Sequence, residues 1–143
     1  DRCIASIPDT AAEPLRRFRA RCQDRSVEEL QELYTQSFDL DPSCSMEIGW
    51  HLHGENYARG EFLVEMRRTL KKLGIQESTE LPDHLTHVLP ALARMPSEAA
   101  EHLASKGAVP ALDKILEGTM GRDCFYEDLI RAVRAVVGEA SHG

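Results

Sequence analysis

The sequence has no cysteine pair at CxxC spacing, no glycine-rich phosphate loop, no apolar run long enough to cross a bilayer and few aromatic residues. Each absence removes a class of function. Cys3, Cys22, Cys44 and Cys124 are far apart, which excludes the short-spacing zinc and iron–sulfur motifs. The glycines of "HGENYARG" are too widely separated, and come after a helical stretch instead of a strand, so a nucleotide-phosphate loop is excluded. No segment resembles a secretory leader or a membrane span, and the chain, which begins at Asp1, reads as a reduced, cytoplasmic protein without direct membrane insertion. Nothing sustains the two-residue alternation of a strand.

Basic charge is also short: 17 Lys and Arg face 24 Asp and Glu, a formal net charge of -7. That balance argues against nucleic acid as the main partner and favours a basic one, such as an arginine-bearing peptide. The basic run "RRFRAR", Arg16 to Arg21, reads as the solvated face of a helix. With 143 residues, 42% hydrophobic and 29% charged, the chain has material for one globular domain spanning 1–143.

What is present is helical periodicity. Pro14 suits the first turn of a helix carrying Leu15, Phe18 and Cys22, because its missing amide has no role there. Ser26 with Glu29 forms a candidate capping box for "SVEELQELYTQSF", and Pro42 disfavours helix at Asp41. A helix is expected to resume at Ser43 or Ser45 and end near His53. Another runs from Tyr57 to Leu73 on the stripe Phe62, Leu63, Met66, Leu70, Leu73, and stops at Gly74. Further helices are expected through Leu85 to Met95, where Pro90 should bend the rod, over "SEAAEHLASKG", from Pro110 along "PALDKILEGTM", and from Phe125 to Val137. The predicted fold is all-α, a compact single-domain bundle of about six or seven helices, each apolar face covered by another element.

The polar residues offer several chemistries. Glu47 and His51, four apart, would share a helix face and with His53 suggest a metal site, the basis of one alternative: a small metal-dependent enzyme. The spacing lacks the second ligand pair that metalloprotease and dinuclear carboxylate motifs require, so helix-end hydrogen bonding is the simpler reading and no metal ligand is assigned. Asp83 and His87 would form an acid–base pair on a helix, yet no nucleophile accompanies them, and Cys44 near His51 defines no attack geometry. Asp83 reads instead as the cap of the helix after Pro82, with His84 bonding across a helix joint. No catalytic residue is assigned.

Binding has more support. Gly49, Gly54, Ala58 and Gly60 permit close backbone approach; Trp50, Tyr57 and Phe62 offer apolar area; Glu47, Glu55 and Asp83 offer acceptors for a basic partner. Glu55 and Arg59, four apart, form a candidate surface pair. In the stretch "WHLHGENYARG", Gly54 should allow a turn and Gly60 close packing.

Three motifs then sharpen the reading. "YTQSFD" (Tyr34 to Asp39), "HLHGENYARG" (His51 to Gly60) and "ELPDHL" (Glu80 to Leu85), in that order over roughly Tyr34 to Met95, resemble the NarJ branch of the TorD/DmsD/NarJ chaperones for molybdenum enzymes, and "CFYEDLIRAVRAVV" is compatible with the later helical region of that family. The resemblance implies an all-helical, cofactor-free chaperone. Its partner would be the cofactor-free catalytic subunit of a molybdenum and iron–sulfur oxidoreductase such as nitrate reductase, bound through its N-terminal peptide, with cofactor-delivery proteins as further partners. Carried onto this chain, the client-peptide residues are Trp50, His51, His53, Glu55, Tyr57, Arg59, Asp83 and His84. The structural positions are Tyr34, Phe38, Asp39, Gly54, Gly60, Leu81, Pro82 and Leu85. A second alternative is an interaction subunit that binds a folded partner and has no part in maturation.

Overall fold

A computed structural model describes residues 7–141. The α-helices are α1 Asp9–Cys22, α2 Val27–Tyr34, α3 Ile48–His53, α4 Tyr57–Lys72, α5 Leu85–Arg94, α6 Ser97–Leu103, α7 Val109–Thr119 and α8 Glu127–Ala140, with no strand among the described residues. A π turn, Ala104–Ala108, joins α6 to α7 without a break in helical backbone, so the two form one rod and the described residues hold seven. The all-α expectation holds, with one correction. "SEAAEHLASKG" and "PALDKILEGTM" are not separate helices, because Gly107 keeps a helical conformation and Pro110 falls in the first turn of α7, where its missing amide does no harm.

Helix α7 is the centre of the core. Ala111, Leu112 and Ile115 have no exposed surface, and they pack with Ile48 of α3, Leu85 and Val88 of α5 and Ile130 of α8. At its end Gly118 lies against the 3₁₀ turn Pro42–Cys44, where an added Cβ would stand 2.7 Å from the Ser43 carbonyl oxygen. α1 lies along α8 through Phe18, whose ring centroid is 5.8 Å from Phe125 and 5.5 Å from Tyr126. The basic run belongs to this joint: Arg17 reaches Asp128 at 3.0 Å and Arg21 sits over the Phe125 ring at 4.7 Å. Pro14 is inside α1 and buried, since the helix starts earlier, after Pro8.

Local signals explain most boundaries. Ser26 Oγ accepts from the Glu29 amide at 3.1 Å, the cap expected for α2. Asn56 caps α4 through the Ala58 amide, and Gly54 (φ 60°) and Gly74 (φ 71°) take the left-handed conformations at the ends of α3 and α4. α5 begins at Leu85, so Pro90 lies in its interior. No helix among the described residues is long and apolar enough to cross a membrane.

Candidate functional site

The first motif does not end as an α-helix. α2 runs into a π turn, Thr35–Asp39, whose wider winding brings Tyr34, Phe38 and Asp39 to one side. The Tyr34 and Phe38 rings are 4.9 Å apart, and Ser37 Oγ donates to the Leu33 carbonyl at 2.7 Å.

The second and third motifs are stitched by backbone. A helix from Ser43 or Ser45 does not form; Glu47 is extended and pairs with His84 as an isolated antiparallel bridge. The Ile48 amide donates to the Asp83 carbonyl at 3.0 Å and the Leu85 amide to the Met46 carbonyl at 2.9 Å. Asp83 therefore does not cap its own helix. His84 does, with Nδ1 accepting from the Thr86 amide at 3.2 Å, while Asp83 Oδ2 accepts from the Gly49 amide at 2.9 Å and satisfies the first turn of α3. Gly49 is small because of this contact: a Cβ there would meet Asp83 Oδ2 at 2.5 Å and Phe62 Cδ2 at 2.9 Å. Gly60 has no heavy atom within 4 Å of an added Cβ, so the close approach expected of Gly60 belongs to Gly49.

A further correction concerns Arg59. It does not pair with Glu55, which is exposed; its guanidinium reaches Glu47 Oε1 at 3.0 Å and Asp83 Oδ2 at 3.6 Å, and lies 5.9 Å from the Trp50 ring centroid. Asp83 is 0% exposed, and burial pushes its carboxyl above the usual range, with Glu47 acting the same way and Arg59 and the Gly49 amide opposing. His51 is buried with Nε2 2.6 Å from the Ser45 carbonyl, so that nitrogen carries a proton and donates. Burial, helped by Lys114, lowers the His51 pKa against the pull of that hydrogen bond. His87 accepts from the Ser78 amide at Nε2 (2.9 Å) and donates from Nδ1 to the Leu81 carbonyl (2.8 Å), so it holds the third motif's loop and makes no pair with Asp83. Cys44 is buried, and burial raises its thiol, which suits a packed side chain rather than a nucleophile.

These joints build a groove of about 340 Å³. Its wall carries Tyr34, Phe38 and Asp39 from the first motif, Glu47 and Trp50 beside the second, and Glu80 and His84 from the third, with Pro42, Ser45 and Met46 closing it. Because His84 Nδ1 is an acceptor, the neutral ring holds its proton at Nε2, which donates toward the Tyr34 oxygen at 3.4 Å. Burial, then the carboxylates of Asp39 and Glu80, push the Tyr34 pKa up to about 12, so the phenol keeps its proton for a ligand in the groove. Aromatic surface flanked by Asp39, Glu47 and Glu80 suits a segment with both apolar and cationic side chains.

Of the residues the sequence singles out, Trp50, His84, Tyr34, Phe38 and Asp39 line this groove. His53 packs at a tilt against Phe62 and lines a different cavity, Glu55 and Tyr57 are exposed, and His51 and Asp83 are buried behind the wall. Leu81 is exposed, Pro82 and Leu85 are buried, and Gly54 makes the expected turn. Glu47, His51 and His53 diverge, and among the described residues no three His, Cys, Asp or Glu side chains gather as a metal site. Sequence reasoning missed Met46 and Ser45, which carry no motif signal, and passed over Glu80 within a stretch it had already marked.

Comparison with known proteins gives the family. The family model described as nitrate reductase delta subunit matches residues 5–124. Proteins of Escherichia coli K12 and E. coli O157:H7, each described as nitrate reductase molybdenum cofactor assembly chaperone NarJ, are 38% identical over 84 residues, covering 57% of this chain and 36% of the relative. The chain thus spans about a third of the length of those relatives. With the family model running through all three motifs, the chain belongs to the nitrate reductase delta subunit family, in its NarJ branch.

Proposed function

We propose that this chain is a maturation chaperone that acts by binding, with no covalent step. Its client is the cofactor-free catalytic subunit of a molybdenum and iron–sulfur oxidoreductase such as nitrate reductase, held in the cytoplasm through its N-terminal peptide. The observation that carries the reading is the convergence of the first and third motifs, with Glu47 and Trp50 from just before the second, on one acidic, aromatic groove. The relatives are named as chaperones of molybdenum cofactor assembly, which supports the same role here. While the groove holds the peptide, the client stays open to its cofactor; release comes when the folded client reclaims the segment. At a Kd of about 1 μM the complex is worth about 8 kcal/mol, enough to hold a client and still allow exchange.

Calorimetric titration with synthetic N-terminal peptides of candidate catalytic subunits, and with the intact cofactor-free subunit, tests it. Binding is expected to weaken about tenfold or more in Trp50→Ala, because buried aromatic contact is worth about 1.5–3 kcal/mol, and by a smaller factor, through slower association, in the pair Asp39→Asn with Glu80→Gln. No binding of either the peptides or the subunit would defeat the proposal. Capture of the mature enzyme but never its precursor would point to an interaction subunit instead.

A further inference from the structure

Arg59 is shared unequally between two carboxylates, and the sharing leaves atoms unused. Its guanidinium is 3.0 Å from Glu47 Oε1, at the groove wall, and 3.6 Å from Asp83 Oδ2, which has no exposed surface. Arg59 Nε and Asp83 Oδ1 are both buried and have no hydrogen-bond partner among the described residues. Those two atoms belong to the two halves of the long pair. A guanidinium and a carboxylate match as a fork, two parallel N–H···O bonds, and Arg59 with Asp83 retains the donor and acceptor to complete one. Glu47 holds Arg59 away from it.

We propose that Arg59 is an exchangeable placeholder for a cationic side chain of the bound peptide and sets the specificity of that end of the groove. The inference rests on the client-peptide reading of the groove. In the unliganded protein Arg59 neutralises Glu47 and lies against Trp50. When an arginine or lysine of the peptide takes Glu47, Arg59 closes onto Asp83 and its Nε–H meets Oδ1. The displaced charge is therefore not stranded in the wall, and both buried orphan atoms gain partners at the moment of binding. A neutral side chain at the same place cannot release Arg59, because nothing replaces it at Glu47. The device thus couples recognition of a positive charge to an internal rearrangement. Lysine in place of Arg59 would keep the charge but lose the fork.

The Arg59 side-chain Nε–H, tracked by NMR through its exchange with solvent, reads the two positions. In unliganded Glu47→Gln protein, Arg59 has lost its outer anchor, and its Nε–H is expected to exchange about tenfold more slowly than in the wild type, as a forked pair requires. Unchanged or faster exchange there would overturn the two-position device without reference to any client. The binding arm uses a synthetic amphipathic peptide of leucine, phenylalanine and arginine, and its counterpart with citrulline, the neutral isostere, at each arginine. Protection of Arg59 Nε–H by the arginine peptide but not by the citrulline peptide is the expected result. Binding of both with no change at Arg59 would overturn the exchange while leaving the groove a peptide site. Binding of neither would remove the peptide reading, and the exchange with it. Arg59→Lys is expected to narrow the affinity gap between the two peptides; an unaltered gap would also count against the proposal.

Discussion

The side chains that matter most at this site are those whose protonation is set by burial. His51 is the clearest case, because its pKa lies below the ordinary histidine value in the folded chain. A lowered histidine favours the neutral form in the folded state, so its contribution to stability is present above the unfolded pKa of about 6.5 and is lost as pH falls through the folded value. Urea midpoints measured from about pH 8 down to about pH 5 should therefore fall in the wild type. In His51→Gln, whose amide can still donate to the Ser45 carbonyl, that fall should be much smaller. Asp83 acts with the opposite sign, since a raised carboxyl stabilises at low pH and that contribution fades as pH rises through its folded value; being common to both proteins, it largely cancels in the difference. An identical slope in the two proteins would show that His51 is not the titrating group. At this scale the sequence was a partial guide. It placed His51 and Arg59 in one polar stretch and read Asp83 as a helix cap, but partners such as Asp83 with Gly49 lie 34 residues apart, and no local spacing reports a contact made through folding.

At the scale of elements, the glycines show how the joint is made. Gly49 sits where α3, α4 and the third motif's loop converge, against Asp83 and Phe62. Gly49→Ala is expected to cost about 2–3 kcal/mol, because Asp83 is held by its capping bond and overpacking forces the wall to shift. Gly60→Ala should do the reverse. It is exposed in the interior of α4, an added methyl has open space, and alanine is better than glycine in a helix by about 0.5–1 kcal/mol. Denaturant unfolding of the two variants checks the pair; destabilisation of similar size in both would contradict the geometry. Both glycines stand in the same stretch of sequence, and composition does not tell a glycine that admits a neighbour from one that merely occurs in a helix. Helix identity was legible because apolar periodicity and caps are local: α4, its end at Gly74 and the Ser26 cap lie where the pattern puts them. The π turns were not. Thr35–Asp39 keeps helical dihedrals and carries no breaker, so periodicity reads it as ordinary helix, whereas Gly107 and Pro110 suggest a gap where the helical backbone in fact continues from Ala104–Ala108 into α7.

For the whole molecule, charge and groove are expected to act together on the proposed peptide partner. The net charge of -7 and the exposed Asp39 and Glu80 at the groove should draw in a cationic peptide from beyond contact distance. Screening acts on that long-range attraction, because the Debye length falls from about 10 Å at 0.1 M salt to about 3 Å at 1 M. Glu47, only about a quarter exposed, is less open to screening, so an ion pair formed there should persist once made. Salt is therefore expected to slow association steeply and to leave dissociation nearly unchanged. The single tryptophan, Trp50, lines the groove and gives a stopped-flow fluorescence signal without any label. Removing both outer carboxylates, Asp39→Asn with Glu80→Gln, should flatten the dependence of the association rate on salt, whereas Glu47→Gln should chiefly speed dissociation. If the outer pair instead changed only dissociation, Asp39 and Glu80 would be direct contacts in the bound complex, and the attraction that guides the peptide would have to come from elsewhere on the acidic surface.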